Sequence, residues 1–102
     1  MSTLQLPPEL SIYTAAELHQ AWLDWASQLP SQSVHALADA TLVDQIDGAG
    51  VQLLLALQGS LSLRGCRLRL NAPSPALRTA CAALGLSGWL DAAQHPTAPE
   101  AA

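Results

Sequence analysis

The sequence predicts an α/β domain, a class in which helices pack on a β-sheet, and three observations support this. Strand-like and helix-like segments alternate along most of the chain. A Gly-rich turn at residues 47–50 joins an apolar strand-like run to a long leucine-rich run, as at a strand-to-helix junction. Half of the 102 residues are apolar and only 12% are charged, which suits one domain with one core.

Two short strands are expected near the N-terminus, at residues 3–6 and 10–12, with Pro7 and Pro8 between them. They lie too close in sequence for a helical crossover. We therefore expect them to form an antiparallel hairpin, which would make the sheet mixed, with four to five strands in all.

A first helix is expected to begin after Thr14. Glu17 lies three residues further on, which predicts a capping box, and Tyr13 and Leu18 stand where a hydrophobic staple would form. Pro30 ends the helical pattern. The predicted buried face consists of Leu18, Trp22, Trp25 and Leu29.

The next strand is predicted at residues 34–40, where small apolar residues alternate with Leu37, a pattern typical of burial on both faces. The second helix opens near Gly48 and runs to about Leu63. Leu53 and Leu57 widen its apolar stripe. They either pack on a neighbouring helix or remain exposed for a partner.

The last part of the chain predicts a strand at residues 67–71, with Leu68 and Leu70 directed inward. Ser74 and Pro75 suit the N-cap and first position of a third helix, which Gly85 closes. A short helical turn with Trp89 follows at residues 86–90. The buried face of the third helix is predicted to consist of Leu77, Ala80, Cys81 and Leu84.

Composition argues against several functions. A net charge of −4, with four arginines and no lysine, is unlike a nucleic-acid-binding domain. We find neither a transmembrane run nor a signal peptide, and therefore expect a cytoplasmic protein. Cys66 and Cys81 are read as two buried thiols rather than a disulfide. No nucleophile, acid–base pair or metal-ligand spacing stands out, including around His19, His35 and His95, so we expect no enzyme, cofactor or metal.

The turn at residues 47–50 is the main candidate site, and we interpret it as an interaction surface. Asp47 either caps the second helix, contacts a partner, or does both. Gly48 and Gly50 either permit close approach of a partner or, as we favour, supply the backbone angles of the turn. Asp44 is read as a solvated carboxylate, and a metal held by Asp44 and Asp47 is not expected. Backbone N–H groups at the helix start make anion binding an alternative.

The order of motifs along residues 3–90 resembles the STAS domain family. It comprises Ile46-Asp47-Gly48-Ala49-Gly50-Val51, the leucine-rich helix, Gly65-x-Arg67-Leu68-Arg69-Leu70, Pro73-Ser74-Pro75 and Leu84-Gly85-Leu86. The family includes anti-sigma-factor antagonists of the SpoIIAA type and the MlaB subunit of bacterial lipid-transport ATPases. The resemblance implies a single STAS-like domain at residues 1–92, followed by a flexible tail at 93–102. It also favours partial exposure of Leu53 and Leu57.

Regulated members of that family carry Asp-Ser-Ser/Thr-Gly in the turn, and a partner kinase phosphorylates a hydroxyl there. This chain matches at Asp47 and Gly50 but has Gly48 and Ala49 between them, so no hydroxyl is present at the phosphosite position. The resemblance therefore implies a protein-interaction module in bacterial signalling, for example in chemotaxis, without that switch. Its expected partner is an anti-sigma or histidine-kinase-like protein. The alternatives are an MlaB-like accessory subunit of a lipid-transport ABC ATPase and a nucleotide- or anion-binding domain. The predicted contact residues are Gln45, Asp47, Gly48, Ala49, Gly50, Val51 and Gln52.

Overall fold

The computed structural model describes residues 3–94 and has an α/β architecture. This confirms the predicted fold class, and the five strands of the described residues lie within the predicted four to five. No helix in the described part of the chain is both long and apolar enough to cross a membrane. The elements in chain order are β1 (Leu4–Gln5), β2 (Glu9–Leu10), α1 (Ala15–Ser27), β3 (His35–Asp39), β4 (Gln45–Ile46), α2 (Gly48–Ser62), β5 (Arg67–Asn71), α3 (Pro75–Ala83) and α4 (Ser87–Ala93).

The strands form two small parallel sheets. One has the order β1-β3-β5, and in the other β2 pairs with β4. The antiparallel hairpin that we expected between the first two strands is therefore wrong. Proline holds φ at about −65° and favours extended chain. Pro7 and Pro8 thus continue the N-terminal run without reversing it, and β1 and β2 pair with the successive strands β3 and β4.

The link between the two sheets depends on contacts of the proline segment. The N–H of Leu6 donates to the Asp39 carbonyl at 3.0 Å, and the Pro8 carbonyl accepts from the N–H groups of Asp44 and Gln45 at 2.9 and 3.0 Å. Residues 6–8 separate β1 from β2, whereas residues 40–44 separate β3 from β4. Because the second connection is longer by two residues, the parallel ladder is interrupted between the two sheets.

Helix α1 begins after Thr14 as predicted, but its expected capping box is wrong. Thr14 has helical backbone angles, and its side chain makes no cap hydrogen bond. Its Oγ1 instead accepts from the Ser11 N–H at 3.0 Å. The expected packing of Tyr13 on Leu18 is also wrong, because Tyr13 is 88% exposed. The predicted inner face of the helix is confirmed: Trp22 belongs to the core, and Leu18, Trp25 and Leu29 pack against it.

Strand β3 has a buried face of small residues, including Ala36 and Ala38. Leu37 on the other face is only half-buried, and Val34, before the strand, is exposed. The expectation of burial on both faces therefore holds only in part.

Helix α2 is the central helix of the domain. It contacts α1, α3, β2, β4 and β5. A helix surrounded by several elements needs a wide apolar surface. Leu53 and Leu57 are accordingly buried, with 6% and 3% exposure, so their expected partial exposure is wrong.

The C-terminal elements largely follow the sequence pattern. Leu68 and Leu70 are buried as predicted. Ser74 Oγ accepts from the Leu77 N–H at 3.1 Å, which confirms the predicted N-cap of α3. Leu84 was predicted to be buried, but it follows the helix as its C-cap and is 53% exposed. Gly85 has a φ of +74°, as its predicted closing position requires.

Helix α4 is longer than the predicted turn at residues 86–90 and reaches Ala93, which is buried. Gln94 then forms a parallel bridge with Leu70 of β5. Residues 93 and 94 of the predicted tail therefore belong to the fold, whereas residues 95–102, including His95, lie outside the described part of the chain.

Candidate docking surface at the start of helix α2

Asp47 precedes α2 and caps its N-terminus. Its Oδ1 accepts from the Gly50 N–H at 3.0 Å, which confirms the N-cap interpretation. Its Oδ2 accepts from the Ile12 N–H at 3.1 Å. The hydrogen bond from Ile12, followed by that from Gly50, lowers the pKa of Asp47 below its ordinary value of 3.8. The reason is that bonds to the carboxylate favour its charged form.

The segment between β2 and α1, residues 11–14, lies beside the start of α2 because of these contacts. The N–H of Asp47 also donates to the Leu10 carbonyl at 3.2 Å, and the N–H of Thr14 closes a turn onto the Ser11 carbonyl at 3.0 Å. Ser11 is a buried residue, and its Oγ donates to Glu9 Oε2 at 2.6 Å. We call this segment the β2–α1 turn.

Two large apolar side chains project from the β2–α1 turn. Ile12 is 68% exposed and Tyr13 is 88% exposed. Contiguous exposed apolar surface is a feature of interaction sites. Sequence reasoning missed them, because it assigned Tyr13 to a staple and Ile12 to a strand. The available signal was a pair of large apolar residues between the end of a strand and a helix start.

Gly48 and Gly50 do not supply special backbone angles for the turn, which is the role that we favoured. Among residues 3–94, the glycines with positive φ are Gly65 and Gly85, so the interpretation that the turn needs special backbone angles is wrong. A Cβ at Gly50 would lie 2.1 Å from the Leu10 carbonyl oxygen. Gly50 therefore allows α2 to approach β2 closely. A Cβ at Gly48 would meet no atom within 4 Å.

The seven predicted contact residues divide by exposure. Gln45, Asp47, Gly48 and Gln52 are exposed, and Ala49 is half-buried. Gly50 and Val51 are buried, the latter with 1% exposure. These two residues can support the surface from below but cannot present side chains to a partner.

An open groove of about 510 Å³ runs between α1 and α2 next to the β2–α1 turn. Small residues on both helices make it shallow, and Leu53 forms part of its lining. The residues around the groove are Ala15, Ala16, His19, Ala49, Gln52, Leu53 and Ala56. The start of α2, the turn and this groove thus form one continuous face.

The fold brings hydroxyls to the site that the sequence order did not suggest. Gly48 and Ala49 offer none, and sequence distance pointed to Thr41 and Ser60. Through the bond between Ile12 and Asp47, the fold places the β2–α1 turn, with its Ser11 and Tyr13 hydroxyls, beside the start of α2.

The described residues give little support for a metal site or for a nucleophilic cysteine. Residues 3–94 contain no group of three or more His, Cys, Asp or Glu side chains that could hold a metal ion. Cys66 and Cys81 are free and buried, as predicted, and burial raises the pKa of the Cys81 thiol. A buried thiol with a raised pKa is a poor nucleophile.

The contacts of Asp47 also bear on the anion-binding alternative. The Gly50 N–H at the helix start already donates to Asp47, and a bound anion would meet the negative carboxylate. The geometry of the turn therefore disfavours an anion at this position.

The family model described as "Mlab, STAS domain" matches residues 1–92 of the 102 residues. The chain therefore belongs to the STAS domain family, as its motif order indicated. No curated protein matches the chain.

Proposed function

We propose that this chain is a non-catalytic protein-interaction module that binds its partner through the face around the start of α2. The observation that carries the proposal is the Asp47–Ile12 hydrogen bond, which places exposed apolar side chains beside an open helix start. We name this face the docking surface. It consists of Ile12, Tyr13, Gln45, Gly48, Ala49 and Gln52.

The residues of the docking surface suit different parts of an interface. Ile12 and Tyr13 supply apolar contact area, and tyrosine is favoured at interface hot spots. Gly48 has no side chain and open space around it, so a partner backbone can come close. Gln45 and Gln52 would form a polar rim. Asp47 mainly positions the surface and contributes negative charge.

Two partner classes follow from the family. The description of the matching family names Mlab, and this favours an accessory role on the ATPase of a bacterial lipid-transport system, in the cytoplasm. The second candidate is an anti-sigma or histidine-kinase-like protein in signalling, for which the Asp47 and Gly50 matches are the support. Either way, the missing hydroxyls at positions 48 and 49 remove the family's phosphorylation switch.

Co-purification tests the proposal and separates the two partners. A tagged chain expressed in its native host should capture an ABC ATPase if the first candidate is right, and a kinase-like protein if the second is right. The double variant Ile12→Ser, Tyr13→Ser should lose that partner. The double variant Leu63→Ser, Leu84→Ser removes two exposed apolar side chains away from the docking surface and should retain it. Equal capture by both variants would refute the proposed surface.

A phosphorylation assay tests the missing switch separately. After incubation with the captured partner and ATP, mass spectrometry should find residues 44–54 unmodified. Phosphate on Ser11 or Tyr13 would show that the partner modifies the β2–α1 turn instead. It would overturn the proposal that the chain has no phosphorylation switch.

A further inference from the structure

A second pocket lies on a different part of the domain, between α2, β5 and α4. Its volume is about 170 Å³, below the roughly 300 Å³ at which pockets for drug-sized ligands begin. It would therefore take a small group rather than a large molecule. Its polar lining comes from Gln58, Ser62, Arg67, Arg69, Trp89 and Ala92. We call it the β5–α4 pocket.

Two acceptors in the lining of the β5–α4 pocket already accept hydrogen bonds from within the chain. The indole N–H of Trp89 donates to Gln58 Oε1, and the NH₂ group of the same side chain is a donor. The Ala92 carbonyl accepts from Arg69 Nη1 at 3.0 Å. The lining offers a ligand several donors: the Gln58 NH₂ group, the Ser62 hydroxyl and the guanidinium groups of Arg67 and Arg69.

Two of the four arginines, Arg67 and Arg69, line this pocket in a chain of net charge −4. Neither of the other two arginines lines it. Arg64 donates to the carbonyls of Ala26 and Leu29, and Arg78 donates to Gln94. Arg67 is exposed, and although its backbone N–H donates to the Val34 carbonyl at 2.8 Å, its guanidinium makes no hydrogen bond or ion pair within residues 3–94. The carboxylate of α4, Asp91, is exposed and does not line the pocket.

From these observations we infer that the β5–α4 pocket binds a small oxyanion of the phosphate type. A donor-rich site selects an acceptor-rich ligand, and guanidinium groups pair with phosphate oxygens through charge-assisted hydrogen bonds. The anion is either free phosphate or the phosphoryl end of a larger molecule. This site is separate from the docking surface and does not depend on the proposed function.

The inference is tested with the ¹⁵N-labelled chain by following the indole N–H signal of Trp89, assigned with the Trp89→Phe variant. Titration with inorganic phosphate, and separately with glycerol phosphate, should shift this signal saturably. Added sodium chloride should weaken the effect, because it screens the charges. Stronger binding of inorganic phosphate would identify free phosphate as the ligand. Stronger binding of glycerol phosphate would identify a phosphate monoester.

Arg67→Gln should weaken binding by about tenfold, the size expected for losing a hydrogen bond between charged groups. Arg78→Gln makes the same charge change outside the pocket and should leave affinity within about twofold. The dispersion of the amide spectrum would verify that both variants are folded. The inference is overturned if neither anion shifts the Trp89 signal, or if the two arginine variants lose affinity equally.

Discussion

The Oδ2 atom of Asp47 accepts a hydrogen bond from the Ile12 N–H at 3.1 Å, across 35 positions of sequence. This single carboxylate caps α2 through Oδ1 and holds the β2–α1 turn through Oδ2. Asp47, which matches the Asp of the family's turn motif, therefore binds backbone N–H groups of its own chain. In our proposal its importance for docking comes from where it places Ile12 and Tyr13.

Replacing Asp47 should release the β2–α1 turn. Asp47→Ala removes both acceptors, whereas Asp47→Asn keeps one acceptor oxygen and replaces the other by a donor. We expect the midpoint of urea unfolding to fall in the order wild type, Asn variant, Ala variant. The Ile12 amide should exchange faster with solvent in both variants. An Ala variant with wild-type stability and wild-type exchange would contradict the assigned contacts.

The contacts of Asp47 also predict a dependence on acid. Its pKa in the folded chain lies below the ordinary value of 3.8, so the folded state binds the proton less readily than the unfolded state does. The stabilisation is therefore fully present above the unfolded pKa, and it is lost as pH falls toward and through the folded value. Thermal melts between about pH 6 and pH 2.5 should show a smaller drop for Asp47→Asn than for wild type. Asp39 also has a lowered pKa, because the side chain and the backbone of Thr41 donate hydrogen bonds to it. It is present in both proteins, so its share of the stability loss in acid should be the same in each.

Gly50→Ala should destabilise the domain strongly, because the added Cβ would lie 2.1 Å from the Leu10 carbonyl oxygen. Overpacking of this kind costs about 1–3 kcal/mol of unfolding free energy, or more when backbone must move. The matched control is Gly59→Ala in the same helix, where a Cβ meets nothing within 4 Å. That change should stabilise the domain by about 0.5–1 kcal/mol. Equal effects of the two substitutions in chemical denaturation would contradict the close approach of α2 and β2.

Ser74→Ala should lower the unfolding free energy by about 1 kcal/mol, the usual cost of losing a helix N-cap. Ser74 is buried, and its hydroxyl oxygen accepts from the Leu77 N–H. Ser62→Ala, at an exposed position at the end of α2, should change stability by less than about 0.5 kcal/mol. Urea denaturation of both variants would compare them directly, and a neutral Ser74→Ala would refute the cap.

Much of the fold could be predicted because local signals and packing agree. The Ser74–Pro75 helix start, the inward Leu68 and Leu70, and Gly85 at a left-handed position each follow from one residue type in one place. The pairing of β1 and β2 could not be predicted in this way. Two-residue strands leave hardly any periodic signal, and their partners lie 34 or more positions away along the chain.

Only part of the candidate site's geometry could be predicted from the sequence. Its Asp47 cap depends on local spacing, which sequence reveals. Its other half, the β2–α1 turn, reaches the site through a hydrogen bond between distant segments, which sequence does not reveal. The burial of Leu53 and Leu57 depends in the same way on how many elements surround α2.

Adding bulk to the docking surface without disturbing the fold tests the central proposal most directly. A side chain at position 48 of α2 has open space, and position 59 of the same helix is equally open but lies more than two turns further along it. With matched thermal stability, Gly48→Trp should reduce capture of the partner at least tenfold, whereas Gly59→Trp should capture it like wild type. Undiminished capture by Gly48→Trp would contradict docking at the start of α2.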